Sequence, residues 1–194
     1  MTTQTATIRA AVLPRPGIFT EAVTIAAGVA LISLAAQVSI HLPFTPVPIT
    51  GQTFAVLLVG ASYGAVRAAI TGSLYVLVGL ALPVYASHEH GWHVLSGASG
   101  GYLVAFPIAA AVTGKLAELR WDRTLGSAIG SMLTGNVIVY GIGVPWLAVN
   151  LGVSFTKALE LGLYPFVAGD VIKLYVASLA LPAAWRLLRF AGRA

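Results

Sequence analysis

Two charged side chains lie three residues apart in an otherwise apolar run near the end of the sequence. The run begins at Pro165, reaches about Pro182 and contains Asp170 and Lys173. At helical spacing the carboxylate and the ammonium share one face, about one turn apart. A single charge near the centre of a bilayer costs about 2.5–3.5 kcal/mol. The pair therefore either neutralises itself and fixes the register of one helix, or faces a polar cavity and binds a ligand. We favour the cavity.

Two further stretches carry residues suited to binding a small molecule. Residues 42–53 contain three prolines within six positions, which rules out a helix through them, and Gln52 and Thr53 at their end are expected to begin the next helix. We expect this segment to be extended and folded against the mouth of a helical bundle. Clustered glycines at 97–101 precede Tyr102. Backbone N–H groups at Gly100 and Gly101 are expected to approach a ligand there, although a flexible joint has the same composition.

A third cluster invites a metal-binding interpretation. His88, His90 and His93 lie within six residues of one another, and imidazole is a common metal ligand. The spacing differs from H-E-x-x-H, and no helical periodicity holds the three rings together. We therefore predict solvated histidines, no metal site and no cofactor.

The composition places the chain in a membrane. Of its 194 residues, 58% are hydrophobic and 9% are charged, whereas soluble domains have about 25% charged residues. The absence of cysteine excludes disulfides, thiolate nucleophiles and Cys-type zinc sites. The sequence contains no G-x-x-x-x-G-K-[ST], so the chain has no visible means of hydrolysing ATP.

The apolar runs predict an all-α protein with six transmembrane helices. They are separated by the Pro-rich segment, a tight turn at Arg67, the His- and Gly-rich loop, and polar stretches near 118–123 and 148–164; the runs are 22–40, 54–66, 68–85, 102–116, 125–147 and 165–182. Asn136, within the fifth run, is expected to hydrogen-bond a neighbouring helix. A short surface helix is expected around Lys157 and Glu160. The predicted organisation is a cytoplasmic segment 1–21, a transmembrane domain 22–188 and a cytoplasmic tail 189–194.

The positive charges give this bundle an orientation. With both termini in the cytoplasm, nine of the eleven basic residues fall on the cytoplasmic side: Arg9, Arg15, Arg67, Lys115, Arg120, Arg123, Arg186, Arg189 and Arg193. This is the distribution of the positive-inside rule. The net charge of +5 is thus an orientation signal, and nucleic-acid binding is not expected. The Pro-rich segment, the Gly-rich loop and the Asp170–Lys173 pair then share the outer side.

The first apolar run has a stripe of small residues. Ala22, Ala26 and Ala30 recur every four positions, and small side chains at this spacing allow another helix to approach closely in lipid. Spacing alone leaves two interpretations open, internal packing and a docking face for a partner subunit.

Three motifs together resemble the BioY family, the biotin-binding membrane subunits (S components) of energy-coupling-factor (ECF) transporters. They are FTPVPITGQT at 44–53, GASGGYL at 97–103 and PFVAGDVIK at 165–173. The resemblance covers residues 20–188. The sequence departs from the family pattern at Ala98 and Ser99, where proline and threonine are expected, and in the His-rich insert at 88–93.

The resemblance implies that biotin is captured from outside, in the inner membrane, without catalysis. It also implies that the alanine stripe docks a transmembrane coupling subunit, which works with ATP-binding-cassette ATPases. The alternative is a secondary or facilitated transporter of another small organic anion, acting without partners, as a single chain or as a homo-oligomer. An intramembrane enzyme using Asp170 and a loop histidine is disfavoured, because no nucleophile or oxyanion pattern is present.

Overall fold

The computed structural model describes residues 7–14 and 17–192, and these residues are mostly helical. Within them, the helices are, in chain order, α1 Ile8–Val12, α2 Ile18–Gln37, α3 Gln52–Tyr63, α4 Ala65–Val78, α5 Trp92–Ser96, α6 Gly100–Glu118, α7 Leu125–Leu151, α8 Phe155–Gly162 and α9 Tyr164–Phe190. A short antiparallel pair joins β1 (Ser39–Ile40) to β2 (Ile49–Thr50). The prediction of a helical protein is confirmed at this level: the described residues are mostly helical, with one short β pair.

Four of these helices, α2, α6, α7 and α9, are long and apolar enough to cross a membrane. Two apolar helices are shorter: α3 has 12 residues and α4 has 14. At about 1.5 Å per residue, each of these is shorter than the roughly 30 Å hydrocarbon core of a bilayer. The six predicted runs therefore correspond to six apolar helices, of which four meet the length of a full span.

The break between α3 and α4 lies at Gly64, three residues before the predicted turn at Arg67. Gly64 has φ +85°, a conformation that glycine adopts without the strain of a Cβ. Arg67 lies in the first turn of α4 and makes two 2.9 Å hydrogen bonds to the Glu21 carboxylate of α2. A tolerated glycine conformation, rather than a charge, sets this boundary.

Helix α6 lies at the centre of the bundle, and α2 lies at its edge. In the most apolar 18-residue window, 61% of the residues of α6 are buried, compared with 11% for α2. Helix α6 packs against α3, α4 and α7. The peripheral position leaves most of α2 free to contact lipid or another protein.

The bundle has two chemically different ends. The junctions α1–α2, α3–α4 and α6–α7 and the end of α9 meet at one end, where seven described basic residues lie: Arg9, Arg67, Lys115, Arg120, Arg123, Arg186 and Arg189. Arg15 and Arg193 are outside the described residues. The β1–β2 pair, the 79–99 loop, α8 and the start of α9 meet at the opposite end.

Residues 148–164 contain the predicted surface helix, α8, which begins after the N-cap Ser154. Lys157 and Glu160 form a 2.8 Å ion pair on its exposed face. The 86–101 loop is more structured than predicted, because α5 forms within it and α6 begins at Gly100.

Candidate functional site

The Asp170–Lys173 pair lies on α9, near the end of that helix that faces away from the basic residues. The two side chains meet, as their i, i+3 spacing predicts. Lys173 Nζ is 3.1 Å from Asp170 Oδ1, and the Asp170 side chain is 9% exposed. Lys173 Nζ also donates to the Thr50 carbonyl at 2.7 Å. Lysine thus joins the α9 carboxylate to the backbone of β2, 123 residues earlier in the chain.

Tyr140 of α7 completes this polar cluster and was not among the predicted residues. Its hydroxyl donates to Asp170 Oδ2, so Lys173 and Tyr140 each engage one carboxylate oxygen. One feature of the sequence could have indicated a role for Tyr140. Tyr140 follows Asn136 by four residues on α7, and the hydroxyl of a buried tyrosine needs a hydrogen-bond partner.

The cluster lies in the wall of a cavity at the non-basic end of the bundle. The cavity encloses ≈ 840 Å³ of space not occupied by protein atoms, including the part that opens to solvent. Five aromatic residues line it: Tyr85, Tyr102, Phe106, Tyr140 and Phe166. Tyr102 meets Tyr140 edge-on, with ring centroids 6.2 Å apart, and Tyr140 lies 6.5 Å from Phe166. Aromatic walls with a few placed polar groups are typical of small-molecule sites.

Gln52 and Thr53 both line this cavity. The Gln52 side chain is also part of a hydrogen-bond chain: its Oε1 accepts from the Thr50 hydroxyl at 2.9 Å, and its Nε2 donates to Tyr75. Tyr75 in turn donates to the Val84 carbonyl at 3.2 Å. Gln52 therefore fixes the start of α3 to α4 and to the loop that follows α4.

Tyr102 and the two predicted glycines before it have different roles in the structure. Tyr102 lines the cavity and donates to the Gly162 carbonyl at 2.9 Å. Gly100 and Gly101 are not part of the cavity wall. A methyl group at Gly101 would collide with Trp146, and one at Gly100 would collide with the carbonyl of Leu95. These glycines let neighbouring segments pack closely, so the predicted ligand contact is not supported for them.

The His-rich loop contributes to the mouth of the cavity through other residues. Ala86 and Glu89 line it, whereas His88, His90 and His93 are exposed. Among the described residues, no group of three histidine, cysteine or acidic side chains is arranged to hold a metal. Burial raises the pKa of Tyr85, at the start of the loop, to about 12. Its retained proton is donated to the Val76 carbonyl at 2.7 Å.

Gln37, at the end of α2, makes several hydrogen bonds to this loop. Gln37 Oε1 accepts from the His88 backbone N–H at 3.1 Å and lies 2.6 Å from His88 Nδ1. Gln37 Nε2 donates to the Tyr85 carbonyl at 3.1 Å. Both Ser87 and His88 have positive φ values, of 59° and 62°, which cost free energy in residues other than glycine. Gln37 therefore holds a strained turn beside the cavity.

The alanine stripe lies on the exposed side of α2, away from its buried face. Ala22, Ala26 and Ala30 are all exposed, whereas Gly28, Ile32 and Ala36 of the same helix are buried. Internal packing of the stripe, one of the two interpretations left open by the sequence, is therefore wrong.

Comparison with known proteins gives consistent matches. The model of the BioY family matches residues 3–190. A protein named biotin transporter BioY from Thermotoga maritima is 38% identical over 169 residues, which is 86% of this chain and 91% of that protein. The protein of the same name from Rhizobium etli is 35% identical over 157 residues, or 77% and 83% of the two chains.

A solved structure has the same fold. It is the S-component for biotin from an ECF-type ABC transporter, and it superposes with a TM-score of 0.77 at 23% sequence identity, covering 89% of this chain and 95% of that one. The resemblance predicted from the three motifs is confirmed, and the chain belongs to the BioY family.

Proposed function

We propose that this chain is a biotin-binding membrane subunit, the S component of an ECF-type transporter, and that it captures biotin in the cavity at its non-basic end. The observation that carries the proposal is the Asp170–Lys173–Tyr140 cluster at the wall of an aromatic cavity. Relatives that match most of the chain carry the name biotin transporter. The protein binds and delivers its substrate without chemical change, so it is not an enzyme.

The charges suggest how biotin lies in this cavity. The ring of biotin has a urea group with two N–H donors and a carbonyl, and its side chain ends in a carboxylate. An ionised Asp170 accepts N–H donors and repels a second carboxylate. The urea group therefore lies against Asp170, with its carbonyl towards Lys173, and the carboxylate points to the mouth. Gln52, Thr53 and Tyr102 complete the proposed binding site.

A binding assay on the purified protein tests the substrate and its orientation together. Labelled biotin should remain bound in stoichiometric amount and be recovered unchanged. Biotin methyl ester should retain most of its affinity, whereas an analogue methylated on a ring nitrogen should lose it. A protein that ignores biotin, or that performs proton-coupled uptake of another anion alone, would refute the proposal in favour of a secondary transporter.

The finer topology belongs to the same proposal: six spans in the inner membrane, both termini in the cytoplasm and the cavity open to the outside. The gathering of described basic residues at the end opposite the cavity supports it. Because the chain has no cysteine, His90→Cys and Arg120→Cys each introduce a single thiol. In right-side-out vesicles, a membrane-impermeant maleimide should label only the cysteine at 90. Labelling only at 120 would reverse the orientation.

The proposal includes a coupling subunit that docks on α2 and ATPases that supply energy. Its support is the exposed stripe Ala22, Ala26 and Ala30, together with the absence of a nucleotide-binding motif from the sequence. Small exposed side chains on a peripheral helix are suited to close helix packing in lipid. Co-purification with a coupling module is the direct test.

A further inference from the structure

A second, smaller cavity lies behind the Asp170–Lys173 pair. It encloses ≈ 230 Å³ of space, including its open part, and is bounded by α3, α7 and α9. Asp170, Lys173 and Thr53 line both cavities. The ion pair is thus part of the partition between the proposed biotin cavity and this inner cavity. Its other walls are mostly apolar: Phe54, Leu57, Met132, Leu174 and Ala177.

Asn136 is the one polar residue that lines only the inner cavity. It is 9% exposed, and its Oδ1 atom has no hydrogen-bond partner among the described residues. The expected hydrogen bond from a neighbouring helix is therefore missing at this atom. A buried acceptor without a donor is costly. Lys173 has three N–H donors, of which Asp170 and Thr50 engage two.

The size and the lining residues of the inner cavity indicate which molecule can occupy it. Most of this space is too narrow to enter: the centre of a water molecule can occupy only ≈ 10 Å³ of it, which is enough for about one water molecule and too little for a second vitamin. A metal cation is disfavoured, because the Lys173 ammonium already neutralises Asp170 and would repel a second positive charge. A water molecule is neutral, and it can accept from Lys173 and donate to Asn136 at the same time.

We propose that the inner cavity holds one ordered water molecule that bridges Asn136 Oδ1 and Lys173 Nζ. Asn136 is then a positioning residue: it acts on the substrate-facing ion pair through this water, without touching the substrate. When biotin displaces solvent from the proposed biotin cavity, the water in the inner cavity remains and continues to solvate the Asp170–Lys173 ion pair. The water site stands on the structure alone, and only its effect on affinity rests on the proposed biotin function.

Two substitutions at Asn136 separate this role from simple packing. Asn136→Leu keeps the branched shape but removes every hydrogen-bonding atom, and it should weaken biotin binding about 5- to 10-fold. Asn136→Ser keeps an oxygen and leaves room for an additional water, so its affinity should stay within about 2-fold of the parent. A packing role predicts the opposite order, because serine leaves a void and leucine does not. Ser131→Ala is the matched control, since Ser131 is buried on α7 outside both cavities and its hydroxyl also has no partner in the part of the chain that the structure describes.

A high-resolution crystal structure of the unaltered protein gives a readout independent of biotin. The expected result is density for one water within hydrogen-bond distance of Asn136 Oδ1 and Lys173 Nζ, absent in Asn136→Leu. An empty inner cavity, or full affinity in Asn136→Leu with a loss in Asn136→Ser, would overturn the proposal. If the leucine variant does not fold, the density in the unaltered protein and in Asn136→Ser decides. Failure of the unaltered protein to bind biotin would refute the proposed function and leave the water site to be judged from the density.

Discussion

At the scale of single residues, the proposed site depends on one carboxylate held by two donors. Lys173 and Tyr140 engage different oxygens of Asp170, which is almost fully buried. This arrangement fixes the direction in which the carboxylate accepts further hydrogen bonds. Removal of one partner of a buried ion pair leaves the other charge uncompensated, and this usually costs about 3–5 kcal/mol.

We expect Asp170→Ala and Lys173→Ala each to weaken biotin binding 10-fold or more. Either change deletes a charge-assisted contact worth about 1.5–3 kcal/mol and leaves its partner unpaired. Lys173→Arg should bind biotin more weakly than the unaltered protein, because a planar guanidinium cannot reproduce the reach of an ammonium to the Thr50 carbonyl. Equilibrium binding of labelled biotin measures all three. Lys157→Ala, on the exposed face of α8, is the control, and normal affinity in the folded site variants would refute the site.

Tyr140→Phe removes only the hydroxyl that donates to Asp170. The aromatic contacts with Tyr102 and Phe166 remain, so the cavity wall should keep its shape. Affinity for biotin should fall by about 3- to 10-fold, equivalent to roughly 0.7–1.4 kcal/mol, because Asp170 loses one of its two orienting donors. The loss should be smaller than in Asp170→Ala. An unchanged dissociation constant would mean that the hydroxyl has no part in positioning the carboxylate.

At the scale of secondary-structure elements, the loop between α4 and α6 covers part of the cavity and is held from α2. Its histidines are exposed, and the contact between His88 and Gln37 includes a backbone N–H that survives loss of the imidazole. Replacement of His88, His90 and His93 together by alanine should therefore leave biotin affinity largely intact. Metal analysis accompanies the binding assay. A stoichiometric metal lost together with binding in the triple variant would contradict this prediction.

Gln37→Ala, on α2, should in contrast to the histidine replacements change biotin binding, because Gln37 supports the same loop. It removes the acceptor for His88 and the donor to Tyr85, so the strained turn at Ser87 and His88 loses a large part of its support, and the Ser39–Ser87 hydrogen bond remains. We expect faster dissociation of biotin, by about 3-fold or more, since a loosened loop exposes the cavity. Stopped-flow or chase measurements of the off-rate test this. Ser33→Ala, one turn earlier on α2, is the control because its hydroxyl bonds only within the helix. An off-rate unchanged in Gln37→Ala would exclude a role for this contact.

At the scale of the whole molecule, the bundle presents a binding cavity at one end and a separate exposed face on α2. The alanine stripe lies outside both cavities, so changes there are not expected to reach the proposed biotin site. This separation allows substrate binding and partner assembly to be measured independently on one variant.

Ala26→Trp should retain biotin binding and abolish assembly with the coupling subunit, because a large side chain prevents close helix approach. Biotin retained after purification and co-purification of the partner are measured on the same sample. Leu31→Trp is the matched control: it is also exposed on α2 but lies about 100° round the helix from Ala30. Loss of biotin binding along with assembly would contradict the independence of the stripe from the proposed biotin site. Unaffected assembly would make it lipid-exposed alanine with no docking role.

The sequence by itself determined the features that depend on local periodicity and composition. Apolar runs located the six apolar helices, three prolines excluded a helix at 43–48, and an i, i+3 spacing placed Asp170 beside Lys173. These are properties of a few consecutive residues, and neighbouring elements do not alter them. The break lies at Gly64, three residues before the predicted turn at Arg67, because the positive φ of a glycine ends α3 and the charge of Arg67 does not.

Only the tertiary structure decided which side chains from different helices meet. Tyr140 reaches Asp170 across 30 residues, and Lys173 reaches Thr50 across 123. Such contacts depend on how each helix is rotated about its axis and how it crosses its neighbours, and side-chain packing along their whole length sets both. For the same reason, Gly100 and Gly101 proved to be packing positions, and Asn136 was left facing an inner cavity rather than another side chain.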